Sequence, residues 1–352
     1  MNLSKLAGHA LARLFHRLDT ASREDGQPFR RSEIMVPHTE SRFYGWTHYG
    51  VMIPDLPAPH RFYSLMSIIG TPGAAVFDTD HMLVDRPRRN ATAVTGTAAT
   101  HPRHFGSYSI DRDCTIHEDG SLIRFGQDVT ITGQYPDYRL QTTLDGFELD
   151  IRIHNTDKVT WFIKLPIYDH ISLLSEYEGH IQYGGRKTAI AGLCTFEYAA
   201  GPSAYSVVRH TLPARTKVPV DFFTYQIINL DARTQLLLSK VDCLGTPMIQ
   251  TAWIRSLDQH TQTYREVEFA VTAHQAESAV APDGRTMRLP ETFTWIVKDG
   301  ATPLLTIEGR VDTPFIYGLG SGYVGGYAYE GRYRGKPIAG RGYIEYIDRQ
   351  ND

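Results

Sequence analysis

Between Tyr317 and Asp348 the chain reads YGLGSGYVGGYAYEGRYRGKPIAGRGYIEYID, with tyrosines 323, 327, 329, 333, 343 and 346 set among glycines. Alternation with a period of two between turn residues specifies strand–turn–strand rather than helix, and places Lys336-Pro337 in the turn. Glycine inside a strand marks a bulge, a tight bend or a close backbone approach. The chain is therefore expected to end by closing a curved antiparallel sheet, a shape suited to enclosing an apolar ligand.

Most of what lies between residue 43 and that segment also reads as strands. Phe147–His154 (FELDIRIH) alternates cleanly, and Asn155-Thr-Asp157 reads as a turn before a second strand from Val159 to Tyr168. Gly184-Gly185 suits the positive φ angles of a tight hairpin turn within His180–Gly192. Asp231-Ala-Arg233 separates Phe222–Leu230 from Gln235–Val241 in the same way. Closely spaced strands without intervening helices give an all-β fold of barrels or sandwiches. Asn90–Gly106 reads as a long irregular loop, ending in His101-Pro-Arg-His104.

A chain of 352 residues exceeds the usual single core, so two β domains are expected. The small-residue and proline step at Ala199-Ala-Gly-Pro202 marks their boundary: an N-terminal helix and loop over 1–39, a β domain over 40–200 and a second over 201–352. In the N-terminal segment, Leu3, Leu6, Ala7, Ala10, Leu11, Leu14 and Phe15 repeat at three and four residues, giving an amphipathic helix. It lacks a signal peptide's apolar run and cleavage site. It either docks on the protein or, through Lys5, Arg13, His16 and Arg17, makes a peripheral contact with a membrane surface. No apolar run approaches transmembrane length.

A net charge of −3 leaves no basic footprint, which argues against nucleic acid as a partner. The three cysteines, Cys114, Cys194 and Cys243, are far apart and fit free thiols in a reducing, cytoplasmic setting. The sequence does not address oligomeric state.

Four segments stand in a familiar order: Gly179-His-Ile-Gln-Tyr-Gly-Gly185, Ala191-Gly-Leu-Cys-Thr-Phe-Glu-Tyr198, Phe222-Phe-Thr-Tyr-Gln-Ile227 and Gly340-Arg-Gly-Tyr-Ile-Glu345. Over residues 43–348 the chain resembles the carotenoid hydratase (hydroxyneurosporene synthase, AttH-type) superfamily, which also includes decalin-forming cyclases. The resemblance implies two lipocalin-like (calycin-type) β domains, an apolar pocket between or within them, and hydratase, isomerase or cyclase chemistry. In the hydratases the segment after Gly-Leu carries an acidic residue, then His, a variable residue and Trp. Those positions here are Thr195, Phe196, Glu197 and Tyr198. A later Tyr and Asp fall on Phe223 and Tyr225. The hydratases' acid for protonating an isolated alkene is thus absent, and carotenoid hydration is not carried over.

Chemistry on an apolar ligand needs little more than a buried acid, a polarising hydrogen bond and a shaped pocket. Glu197, flanked by Phe196 and Tyr198, is the leading acid, against the plainer alternative of a solvent-facing strand carboxylate. Tyr225 and Gln226 are next, and alternation sends them to opposite faces. Asp169, beside His170 at a strand end, and His48, sharing a face with Trp46, complete the candidate proton carriers, each weighed against a structural role. Trp46, Tyr198, Phe223, Gln226 and Tyr323 are the candidate substrate-binding residues. Asp78, Asp80 and His81 lack ligand spacing and read as a polar turn, so no metal and no cofactor are expected. The glycine-rich Gly318–Gly326 segment precedes a strand, not a helix, so it is no phosphate loop. The expected function is handling of an isoprenoid, polyene, steroid or acyl compound, with cofactor-free hydration, isomerisation or cyclisation. The rivals are a non-catalytic carrier of the same fold and an interaction protein working through exposed strand edges.

Overall fold

Two curved antiparallel sheets carry nearly the whole chain, and the computed structural model describes residues 3–101 and 105–350. His104 lies outside the described residues. The first sheet has eleven strands, Trp46–Leu56 (β1), Arg61–Gly70 (β2), Asn90–Thr97 (β3), Phe105–Ser109 (β4), Cys114–Ile116 (β5), Leu122–Phe125 (β6), Val129–Gln134 (β7), Asp137–Leu144 (β8), Phe147–Leu165 (β9), Tyr168–Tyr183 (β10) and Arg186–Gly201 (β11), in the order β4-β3-β2-β1-β11-β10-β9-β8-β7-β6-β5. Its edge strands, Phe105–Ser109 and Cys114–Ile116, are joined by the single turn of helix Ile110–Asp113, so the sheet curls almost shut. The second sheet has ten strands between Val220 and Asp348. The architecture is the all-β, lipocalin-like one expected, with one short N-terminal helix.

Turn chemistry accounts for much of the register. Gly184 and Gly185 have φ of 57° and 76° and join β10 to β11, as the sequence specifies. The final hairpin, Gly322–Tyr333 against Lys336–Asp348, turns instead at Arg334-Gly335, with φ of 50° and 77°. Lys336-Pro337 opens the following strand, because proline's fixed negative φ cannot supply that turn. The last strand also pairs with Val220–Asn229, so it lies inside an open sheet whose edges are Gln262–Tyr264 and Glu266–His274, rather than closing it as the sequence pattern suggests. Gly342 is obligatory there: a Cβ would sit 2.5 Å from the Tyr327 ring.

Two other expectations need correction. Asn155–Asp157 is not a turn; one strand runs from Phe147 to Leu165 and absorbs the polar residues as an irregularity in its pairing with β10. Asn90–Gly106 is not one loop; Asn90–Thr97 is a strand buried on both faces, and its run of Ala and Thr packs where larger side chains would not fit.

Alternation along each strand of the first sheet splits its residues between two environments. Tyr49, Val51, Ile171, Leu173, Phe196 and Tyr198 fill the first barrel's core. His48, Met52, Ser172 and Glu197 occupy the other face, turned toward the second sheet, whose core cluster takes in Met52 and Phe162. The link from residue 202 to 219 is anchored by Lys217, which pairs with the buried Asp78 at 2.8 Å and with Asp80 at 2.6 Å. Asp78 also accepts the amide hydrogens of Gly73 and Ala74.

Helix Leu3–Leu18 docks on the second sheet through Leu11, Ala12 and Phe15, against Cys243 and Met248. Leu6, Leu14 and Leu18 stay exposed at 44%, 54% and 43%, so the docked face covers only part of the apolar stripe. No helix among the described residues is long and apolar enough to cross a membrane.

Candidate functional site

Register brings three polar side chains together on the outer face of the first sheet. Ala199 pairs with His48 on one side and His170 on the other, and Glu197, two residues along, lies between Gly50 and Ser172. These residues therefore share one face. His48 Nε2 is 3.8 Å from a Glu197 carboxylate oxygen. The donor atoms of His48, His170 and Glu197 all lie within 4.8 Å of one another. Gly50 makes the room: a Cβ there would meet His48 Nε2 at 2.9 Å and Glu197 Cβ at 3.3 Å.

The second sheet faces this triad with Tyr225, Arg255, Tyr343 and Glu345. Tyr225 lies directly opposite Glu345 across adjacent strands, and Tyr343 is two residues along on the same face. Arg255 is fully buried; it donates to the Ser172 carbonyl oxygen at 2.8 Å, to the Ser172 hydroxyl at 3.0 Å and to the Gln235 side-chain carbonyl. Phe162 closes the seam on its apolar side, with its ring 4.9 Å from His170, 5.2 Å from Tyr225 and 5.1 Å from Trp253.

Buried polar groups in folded proteins are nearly always hydrogen-bonded, and this seam departs from that rule repeatedly. His48 Nε2, His170 Nε2, Glu197 Oε1, the Tyr225 hydroxyl, Thr160 Oγ1, Thr195 Oγ1 and Arg255 Nε are all buried without a partner. Tyr225's hydroxyl approaches Glu197 and Ser172 without a well-directed bond to either. The remaining imidazole nitrogens are anchored. His48 Nδ1 lies 2.9 Å from the Ser67 carbonyl oxygen and donates to it. His170 Nδ1 lies 3.1 Å from the Tyr168 hydroxyl.

The electrostatics follow from burial. Glu345 is held well above the usual carboxylate range, first by burial and then by the charge of Glu197, while its hydrogen bond from Tyr343 (3.0 Å) pulls the other way. It therefore keeps its proton to higher pH than an exposed carboxyl does. Burial lowers His170 to about 4 against the raising effect of Glu197, so it is a neutral imidazole. Arg255, lowered to about 10 by burial, remains a cation. Burial and then Glu197 push the Tyr225 phenol well up, keeping it a donor.

Of the sequence candidates, Glu197, Tyr225 and His48 meet in this seam. Trp46 borders it through Tyr168, with ring centres 5.5 Å apart. The others lie elsewhere. Asp169 turns to the opposite side and faces Arg31 at 3.8 Å. Tyr198 points into the first barrel and donates to the Val36 carbonyl at 3.0 Å. Phe223 packs on Phe77, and Gln226 is fully buried on the face away from Tyr225 with neither amide atom paired. Tyr323 lines a separate cleft of 1000 Å³ between the sheets, with Phe105, Tyr108, Phe315 and Tyr317. Arg255 and Glu345 escaped the sequence reading. Glu345 carried the signal that singled out Glu197, an acid between apolar neighbours in an aromatic strand.

These features define a two-sheet, lipocalin-like β protein with a buried polar seam between the sheets. The chain belongs to a family of unknown function, DUF6670, whose model matches residues 66–352; the match covers the named seam residues except those on the first strand, Trp46, His48, Gly50 and Met52. It is similar in structure to an AttH protein of Nitrosomonas europaea, at 12% identity and TM-score 0.59, over 92% of this chain and 98% of that one. It is also similar to kievitone hydratase of Nectria haematococca, at 14% identity and TM-score 0.58, over 92% and 94%. At such identities the likeness is one of fold. No curated protein sequence matches the chain.

Proposed function

We propose that the protein is an enzyme that hydrates, isomerises or cyclises an unsaturated hydrophobic small molecule by proton transfer in the seam. The observation that carries this reading is the confrontation of Glu345 and Tyr225 on one sheet with Glu197, His48 and His170 on the other, in a site whose polar atoms lack partners. Glu345, neutral, is placed to give its proton to an alkene carbon. In a hydration, water oxygen bonds to the neighbouring carbon, and the water's surplus proton passes to the Glu197 carboxylate or to His170 Nε2. In an isomerisation the same bases take a proton from the substrate instead. Arg255 and Tyr225 would bind a carbonyl or hydroxyl on the ligand, and Phe162 and Trp253 its apolar part. The hydratase among the structural relatives agrees with this class of reaction.

The test is mass spectrometry of lipophilic extracts incubated in D2O with wild type, Glu345→Gln and Glu197→Gln, with bound and transformed species scored separately. Wild type is expected to leave a non-exchangeable C–D bond in a product. The variants should bind the same compound and convert it about 10²- to 10⁴-fold more slowly, the range for loss of one acid–base group. Tight binding without conversion by any form would make the protein a carrier. That second reading is favoured by the aromatic-lined cleft of 1000 Å³, which lies apart from Glu197.

Free thiols at Cys114, Cys194 and Cys243 suit a reducing, cytoplasmic setting. The exposed Leu6, Leu14 and Leu18 beside Lys5, Arg13 and Arg17, on a helix without acidic residues, suit contact with an anionic membrane from which an apolar substrate is drawn.

A further inference from the structure

We propose that His48, His170 and Glu197 form a binding site for one divalent first-row transition metal ion. The inference deepens the functional reading, since such an ion would hold the water used in hydration, but metal binding can be measured without any substrate.

Three independent features of the geometry point to this. First, the donor set is two imidazole nitrogens and one carboxylate converging from three adjacent strands, with the donor atoms within 4.8 Å of one another. Zinc sites with an open position use three protein ligands of this type, with metal–ligand lengths near 2.1 Å. Tetrahedral ligands at that length lie about 3.4 Å apart, so the three side chains need draw together by at most about 1.4 Å. Second, the donor atoms are the orphaned ones. His48 Nε2, His170 Nε2 and Glu197 Oε1 have no partner, and the 3.8 Å between His48 and Glu197 is too long for a hydrogen bond. Third, the opposite nitrogens are held as metal-binding histidines require: His48 Nδ1 by a backbone carbonyl and His170 Nδ1 by the Tyr168 hydroxyl.

The surroundings match a site that leaves a coordination position open. Gly50 provides the space beside His48 Nε2 and the Glu197 stem. Ser172, Tyr225 and Thr195 offer hydrogen-bonding oxygens around it without being strong ligands. With two neutral ligands and one carboxylate, a divalent ion leaves the site a net single positive charge, which favours a bound hydroxide over water.

The test uses Co²⁺ and Zn²⁺ on the whole protein after chelator treatment. Wild type should bind one equivalent of Co²⁺ with visible bands of low-symmetry coordination, and X-ray absorption of the Zn²⁺ form should count two imidazoles and one carboxylate. Gly50→Ala, His48→Ala and His170→Ala should each weaken binding by at least about tenfold, the lower range for disturbing a metal's ligand shell, with circular dichroism confirming the fold. Wild type that takes up no stoichiometric metal overturns the inference, whatever the variants do. So does a bound metal whose first shell lacks imidazole. Conversion of an unsaturated substrate by metal-free protein, with these results negative, would leave the proposed function standing and remove the ion alone.

Discussion

Glu345→Gln is expected to make the protein more stable above pH 5 while disabling it. Glu345 is fully buried, and its folded value lies well above the unfolded 4.5. Between those two values the folded state holds a proton that the unfolded state has released. Stability therefore falls as pH rises through this window, by about 1.4 kcal/mol per pH unit for one group. Glutamine accepts the same hydrogen bond from Tyr343 and has no proton to lose. The stability difference between variant and wild type should thus be close to flat below pH 4.5 and climb above it. The gain grows by about 1.4 kcal/mol per pH unit until the folded carboxyl itself begins to ionise. The assay is urea unfolding followed by tryptophan fluorescence at half-unit pH steps, with chelator present so that no metal binds Glu197. A difference independent of pH from 5 to 8 would refute the assignment of Glu345 as the seam's neutral acid.

Other perturbations test other parts of the reasoning. His170 has the opposite sign: its folded value of about 4 lies below the unfolded 6.5, so stability is lost as pH falls between them. His170→Gln should remove that loss, up to about 3.4 kcal/mol at pH 4, in the same titration. Lys217→Met leaves Asp78 buried without its cation and should destabilise by about 3–5 kcal/mol in denaturant melts; a change under about 1 kcal/mol would mean that Asp78 is satisfied by Gly73 and Ala74 alone. Arg255→Met strands the Ser172 carbonyl and the Gln235 oxygen, for a loss of about 1–3 kcal/mol per unpaired group. Leu14→Glu should abolish co-sedimentation with phosphatidylserine vesicles if the exposed helix face touches membrane; equal sedimentation of both forms, or none by wild type, would remove that contact from the proposal.

What the sequence revealed depended on how local the relevant physics is. Strand alternation and turn glycines are local, and they gave the all-β class, the Gly184-Gly185 hairpin and the final strand–turn–strand pair, but not the place of the last strand inside an open sheet. Proline placement was misjudged only by two residues, since Arg334 can take a positive φ that the pattern assigned to no one. Glu197 was legible from its apolar neighbours, but Tyr198 could not share its site, because adjacent strand residues face opposite ways. The His48–His170–Glu197 group was beyond reach of spacing rules. Its members lie up to 149 positions apart in the chain, and only the pairing of three strands around Ala199 brings them together. Ligand spacing was sought at Asp78, Asp80 and His81, which the structure ties instead to Lys217 and Asp283.

The seam between the sheets also sets how the molecule can change over time. Each sheet has its own hydrogen-bond ladder and most of its own core, so either half can accumulate substitutions without consulting the other. Ser172 with Arg255, and Glu197 with Tyr225 and Glu345, are different, because each set has members in both halves. A replacement there is tolerated only alongside an answering one across the gap. Changes of substrate among relatives should accordingly arrive as matched exchanges spanning the two halves, while the barrels on either side drift separately.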